Sequence, residues 1–263
     1  MNIIKREFKA NLKSLLLWTI PLMVLHAVAS IEFSAFAGDP AIAEAMQNFE
    51  ILFQALGTNV VDMTTPEGYI GIVSIYIYLP LAIFSGLIGS GIISKEEKDK
   101  TAEYLFTFPV KRNKVIASKM VVAVFNSILV NVFVILAVYL TYLRFDVSTG
   151  YFQFMVNMSI GIFLIQMIFL GLGMVLSAML KQYKKSGSIT VGILISTFML
   201  SILIGMVDGK IDFLKYITPF QYFPSNEMLV GNFSVVYVII TFVVSIGTFA
   251  ATFYFYKKRD LYI

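Results

Sequence analysis

The sequence predicts an all-α integral membrane protein with one membrane domain, residues 1–263, and six transmembrane helices. Hydrophobic residues make up 58% of the chain and charged residues 14%, whereas soluble domains have about 25% charged residues. The mean hydropathy is +0.82. Several apolar runs exceed the roughly 18 residues that indicate a transmembrane helix. The runs are continuous rather than alternating, which favours a helical bundle over a β-barrel.

Six apolar runs define the predicted spans. Each has the roughly 20 residues that a helix needs to cross the hydrocarbon core, and they lie at about 15–36, 69–93, 120–143, 152–180, 188–207 and 235–256. The first run is the least uniform, because it contains Pro21, His26 and Glu32. The second contains no charged residue.

Charged residues then predict the orientation. The segments 1–14, 94–119, 181–186 and 257–263 hold 17 of the 20 Lys and Arg residues but only six of the 16 Asp and Glu residues. Basic connections stay on the cytoplasmic side of a membrane, so both termini are predicted to be cytoplasmic, which agrees with an even number of spans. This asymmetry accounts for the net charge of +4 and predicts no nucleic-acid partner.

The N-terminus is predicted to form an amphipathic helix in the headgroup plane. Four apolar residues fall on one helical face, namely Ile4, Phe8, Leu12 and Leu15. Four basic residues fall on the other, namely Lys5, Arg6, Lys9 and Lys13. The alternative is a basic flank of the first span.

Two connections on the other side of the membrane are long. The first, 37–68, includes a predicted short helix at 40–57. The second, 208–233, is rich in aromatic residues, and Pro219 and Pro224 prevent one continuous helix. It is predicted either to fold back into the outer leaflet as short broken helices or to form an ordinary interfacial loop.

The charged segment Ser94–Lys119 separates the second and third spans. Ser94 and Glu97 have the spacing of a capping box, which predicts a new helix. Acidic residues near the start of this helix interact favourably with its dipole, and Pro109 ends the helix. The predicted product is an amphipathic helix over about 95–108, with an apolar face of Ala102, Leu105 and Phe106. Lipid, the protein itself or another protein could cover that face. Asn113 is the predicted cap of the next helix.

The order of residues in this segment resembles the signature of type-2 ABC transporter permeases. The residues that carry the resemblance are Glu97, Thr101, Leu105, Pro109, Val110, Arg112 and Lys119. The family often has Gly where this chain has Lys100. The resemblance extends to the six-span layout, the amphipathic N-terminus and the Thr218-Pro219-Phe220 sequence.

The resemblance implies a membrane-spanning subunit of an exporter in a bacterial-type cell membrane, pairing as a homodimer or heterodimer. Two copies of a cytoplasmic ATP-hydrolysing subunit would bind ATP and Mg, and this chain would bind no cofactor. The segment would be a coupling helix that docks on the ATPase through Glu96, Glu97, Thr101, Leu105, Phe106, Pro109, Val110 and Arg112. The substrate would move outward and could be a hydrophobic drug, a peptide or a lipid.

The rest of the sequence agrees with a transport subunit that has no nucleotide site. The sequence contains no G-x-x-x-x-G-K-[ST] phosphate loop. Gly86–Gly91 reads GLIGSG, which we interpret as close helix packing. The chain has no cysteine and one histidine, which excludes thiolate and multi-histidine metal sites.

Polar residues within the spans supply the alternatives. His26 and Glu32 form a candidate intramembrane polar site, although six residues place them on different faces of a helix. An ion-coupled secondary transporter would use them; a membrane enzyme or scaffold is the remaining alternative. Asn126, Asn131 and Gln166 are interpreted as interhelical hydrogen-bonding residues rather than substrate ligands.

Overall fold

The computed structural model describes residues 3–35, 37–39, 41, 44, 63–98, 111–180, 182–207 and 211–258. Two short 3₁₀ helices lie within them, Asp212–Ile217 and Pro219–Gln221. The α-helices within these residues are α1 (Ile3–Phe33), α2 (Pro66–Val73), α3 (Ile75–Lys98), α4 (Arg112–Tyr142), α5 (Tyr151–Met179), α6 (Tyr183–Met206), α7 (Ser225–Val230) and α8 (Val235–Lys258).

Six of these helices, α1, α3, α4, α5, α6 and α8, are long and apolar enough to cross a membrane. The predicted all-α membrane fold is therefore confirmed. Ile3, Lys98, Arg112 and Lys258 lie at one end of the bundle, here called the terminal end. The opposite end, where α1 and α4 finish, is called the far end.

Helix α5 is at the centre of the bundle and packs against α3, α4, α6 and α8. Its crossing with α3 brings two backbones together. A Cβ on Gly89 would collide with the carbonyl oxygen of Leu170, and a Cβ on Gly173 would collide with that of Gly86. The interpretation of the glycine-rich stretch as a packing surface is confirmed for Gly86 and Gly89.

Helix α1 is continuous from Ile3 to Phe33, so the separate headgroup-plane helix predicted for the N-terminus is wrong. No break separates the basic turns from the span, and a membrane helix tolerates a proline such as Pro21. Ile4 and Leu12, predicted to share the apolar face, are 45% and 39% exposed. The buried stripe is a different one, formed by Ile3, Glu7, Leu15, Thr19, Leu22, His26, Ser30 and Phe33.

The predicted second span is two helices. Thr65 caps α2 by accepting a hydrogen bond from the N–H of Gly68 at 3.2 Å, and Pro66 occupies the first helical position. The chain turns at Ser74, whose hydroxyl donates to the carbonyl of Gly71. Helix α3 then runs to Lys98.

Aromatic side chains close the far end between α1, α2 and α4. The ring of Phe33 is fully buried, and its centroid lies 5.1 Å from that of Tyr69, 5.7 Å from that of Tyr142 and 4.8 Å from that of Phe145. Aromatic pairs at these separations stabilise a core beyond the area they bury.

Candidate functional site

The terminal ends of α3 and α4 lie side by side and carry the two ends of the charged segment. The ammonium of Lys119, on α4, is 1% exposed and donates a hydrogen bond to the carbonyl of Ile92 on α3. One helical turn further along α3, the Lys95 ammonium lies 3.2 Å from the Glu7 carboxylate of α1. The ends of three helices are therefore joined by charged side chains.

The predicted start of a new helix at Ser94 is wrong. Helix α3 continues without interruption to Lys98, and the Ser94 hydroxyl donates to the carbonyl of Ser90 at 2.9 Å. A serine buried inside a helix can satisfy its hydroxyl within its own helix in this way. The cap predicted at Asn113 is also wrong: Lys111 precedes the first helical residue, Arg112, and has no side-chain cap bond.

The described residues include only part of the predicted coupling site. Glu96 and Glu97 lie in the last turn of α3, and their side chains are outside the described part of the chain. Five further members are wholly outside it, namely Thr101, Leu105, Phe106, Pro109 and Val110, so their role and the helix predicted at 95–108 stay predictions. The short helix predicted at 40–57 also falls largely outside. The Arg112 guanidinium donates to the carbonyl of Lys257 on α8 at 3.4 Å.

The structure separates the two members of the candidate intramembrane polar site. His26 is buried beside the backbone of Tyr76 on α3. Pro80 follows four residues later, so the Tyr76 carbonyl lacks its usual helical donor. Neither His26 nitrogen has a hydrogen-bond partner among the described residues. Glu32 is exposed and accepts a hydrogen bond from the Tyr69 hydroxyl at 3.4 Å. A shared relay role for these two residues stays a prediction.

Polar side chains in the middle of α4 and α5 hold these helices together. Asn131 donates to the carbonyl of Ser159 at 2.9 Å and to the side chain of Gln166 at 3.2 Å. Gln166 in turn donates to the carbonyl of Leu81 on α3 at 3.4 Å. The interhelical interpretation is confirmed for Asn131 and Gln166. Asn126 instead donates to Val122 within its own helix.

Residues 211–231, here called the far-end segment, fold back along the spans as short broken helices. The Phe220 ring lies 5.5 Å from that of Phe169 and 5.3 Å from that of Phe198. Phe169 is 18 residues from the start of α5, or about 27 Å at the rise of an α-helix. The short helices of the first alternative are therefore present in the structure, and their entry into the outer leaflet stays a prediction.

Hydrogen bonds fasten the far-end segment to three spans. The Tyr78 hydroxyl donates to the carbonyl of Phe223 at 3.1 Å, and the Asn157 amide donates to that of Met228 at 2.9 Å. Gln221 donates to the carbonyl of Ser201 at 2.8 Å. Within the segment, burial raises the pKa of Tyr222 to about 12, and its hydroxyl donates to the carbonyl of Tyr216.

An open groove of about 570 Å³ runs between α3 and α6. Its lining is mainly apolar and includes three small residues. The lining residues are Leu87, Gly187, Ser188, Val191, Gly192 and Ile195. A side chain added at Gly192 would meet no atom within 4 Å. Among the described residues no cluster of three or more His, Cys, Asp or Glu side chains is arranged to hold a metal ion.

Comparison with known families agrees with this architecture. The family model described as "ABC-2 family transporter protein" matches residues 1–261. The chain belongs to the ABC-2 transporter family. This ABC-2 protein is thus a multi-pass membrane transport subunit, as the resemblance implied. No curated protein matches the sequence.

No role was predicted for Glu7 of this ABC-2 protein, and Lys119 was predicted only as part of the family signature. A signal for Glu7 was present, because it falls on the same helical stripe as the buried Leu15 and Leu22. An acidic residue on a buried stripe requires a partner, but nothing in the local sequence identifies Lys95.

Proposed function

We propose that this protein is the membrane-spanning subunit of an exporter driven by ATP hydrolysis in a separate cytoplasmic subunit. The observation that carries the proposal is the ABC-2 family match over residues 1–261. The chain has no phosphate loop, so ATP and Mg would bind to the partner. Two ATPase subunits and a second copy of this chain, or a related permease, would complete the transporter.

The segment between α3 and α4 would receive the force. Nucleotide-driven closure of the ATPase pair would push this segment, and α3 and α4 would carry the displacement into the bilayer.

The charge asymmetry supports cytoplasmic termini. The family resemblance implies a bacterial-type cell membrane. The apolar groove between α3 and α6 supports a substrate with a large apolar surface, such as a hydrophobic drug, a peptide or a lipid.

Co-expression with the cognate ATPase tests this function. We expect the two proteins to purify together, and we expect Glu97→Ala and Arg112→Ala to weaken the complex or to abolish ATP-dependent export. Asp146→Ala and Lys215→Ala are matched controls, since they remove charges of the same sign at the far end. Membrane insertion should be normal in all four variants. Full ATPase binding and export in both Glu97→Ala and Arg112→Ala would contradict the coupling role.

A further inference from the structure

The ion pair between Glu7 and Lys95 joins two helices that are distant in sequence. Its two side chains differ in solvent access. The Glu7 side chain is 1% exposed and that of Lys95 is 22% exposed. Taking a carboxylate out of water is unfavourable unless an opposite charge and hydrogen bonds compensate. Lys95 supplies an opposite charge to the buried Glu7 and thereby links the terminal end of α1, which packs along α4, to α3.

A second charged contact fastens the same stretch of α3 to α4. The buried ammonium of Lys119 binds the Ile92 carbonyl, three residues before Lys95. Helix α3 is therefore bonded to both α1 and α4 within one helical turn. The contact between the Phe8 and Phe125 rings, with centroids 5.6 Å apart, joins α1 directly to α4 near this level.

The far end of α1 is also fastened to the turn that follows α4. The Arg144 guanidinium donates to the Ser30 carbonyl at 2.9 Å and to its hydroxyl at 3.1 Å. Between these two attachments α1 is a continuous helix, and the distance from Glu7 to Ser30 is about 35 Å along its axis. Helix α1 thus connects an attachment at the terminal end to an attachment at the far end.

We infer that Glu7 and Lys95 are positioning residues that make the terminal ends of α1, α3 and α4 one rigid body. Helix α1 then moves with the two helices that border the charged segment and carries their displacement to the far end. The rigid body is a property of the chain alone. Only its consequence for ATP-driven movement rests on the proposed function.

Spin labels on the isolated chain test the rigid body, because the sequence contains no cysteine. Ala10→Cys and Gly91→Cys place labels at exposed positions of α1 and α3. In lipid nanodiscs we expect a narrow distance distribution, which Glu7→Gln and Lys95→Met broaden. Lys95→Arg and the charge-swapped pair Glu7→Lys with Lys95→Glu should keep it narrow. Glu32→Gln is the control at the far end.

Two outcomes overturn the inference. One is a native-like distribution in both Glu7→Gln and Lys95→Met; the other is a charge-swapped pair that stays as broad as the single variants. If a single variant fails to accumulate in the membrane, recovery of folded protein by the charge swap supports the inference, and failure to recover overturns it.

The complex with the ATPase tests the consequence for transport separately. Labels at Ile31→Cys, an exposed position near the far end of α1, and at Ser234→Cys report on the far end, and we expect their distance to shift when a non-hydrolysable ATP analogue and Mg are added. Glu7→Gln should bind the ATPase normally and lose this shift. An unchanged shift would overturn the transmission role. Failure of the native chain to bind any ATPase would overturn the proposed function and leave the measurement on the isolated chain valid.

Discussion

Single glycines control the closest helix contact in this protein. The backbones of α3 and α5 touch at Gly89 and Gly173, where any side chain would meet a carbonyl oxygen or an amide of the other helix. Small residues allow such close approach in membranes, where van der Waals contact rather than the hydrophobic effect favours association. A larger residue must therefore push the two helices apart.

We expect Gly89→Ala to destabilise the protein by about 1–3 kcal/mol, as overpacking does in well-packed interiors. Gly91→Ala is the matched control, because it lies on the same helix and a Cβ there meets nothing within 4 Å. Unfolding in mixed micelles, followed by circular dichroism, measures both. Equal stability of the two variants would contradict the close packing of α3 and α5.

Hydrogen bonds between side chains in the spans provide a second test at the residue scale. Asn131→Leu removes bonds to Ser159 and Gln166, and we expect it to lower stability by about 1 kcal/mol, the scale of interhelical bonds in membranes. Asn126→Leu should have a smaller effect, since its amide donates within its own helix and its oxygen has no partner among the described residues. The same unfolding measurement compares the two. A larger loss in Asn126→Leu would contradict this assignment.

At the scale of elements, the far-end segment shows how a connection becomes part of the core. Its backbone has ordinary turn signals, including Pro219 and Pro224, and it ends at Gly231, whose φ of 73° suits glycine and closes α7. Phe223 and Met228 fill the space that Gly161 leaves open on α5. The depth of the segment therefore depends on a glycine more than 50 positions away in the chain.

We expect Gly161→Leu to displace the far-end segment, because a Cβ at Gly161 would already lie 3.0 Å from the Cβ of Phe223 and 3.2 Å from the sulfur of Met228. Limited proteolysis should then cut within 211–231 faster than in the native protein. Gly192→Leu adds the same side chain in open space and should leave the cutting rate unchanged. Equal rates in both variants would show that the segment does not pack on Gly161.

The local sequence predicted the helices better than it predicted their ends. Ser94 and Glu97 have the spacing of a capping box, yet α3 runs through them, because the burial of Ser94 and the Lys95–Glu7 pair stabilise the helical continuation. Similarly, the basic residues near Lys9 indicated a separate interfacial helix, whereas nothing in the sequence breaks α1 before Phe33. A capping or amphipathic pattern is a local preference, and tertiary contacts override it.

For the whole molecule, the arrangement of charges predicts which end faces the cytoplasm. In a chain that has no cysteine, Ala10→Cys marks the terminal end and Thr149→Cys marks the far end; both positions are exposed. We expect a membrane-impermeant maleimide to label Thr149→Cys in intact cells and Ala10→Cys only after lysis. The opposite labelling pattern would reverse the predicted topology and would place the charged segment out of reach of a cytoplasmic ATPase.

The sequence by itself determined that this is a six-span membrane protein with one basic side, and it pointed to the family. Apolar runs and charge counts are properties of short stretches of chain, and the bilayer acts on each stretch almost independently. Tertiary structure alone decided that Glu7 pairs with Lys95, 88 positions away, and that the far-end segment packs on α5. Each of these depends on which faces of distant helices meet, and packing determines that only once the spans have assembled.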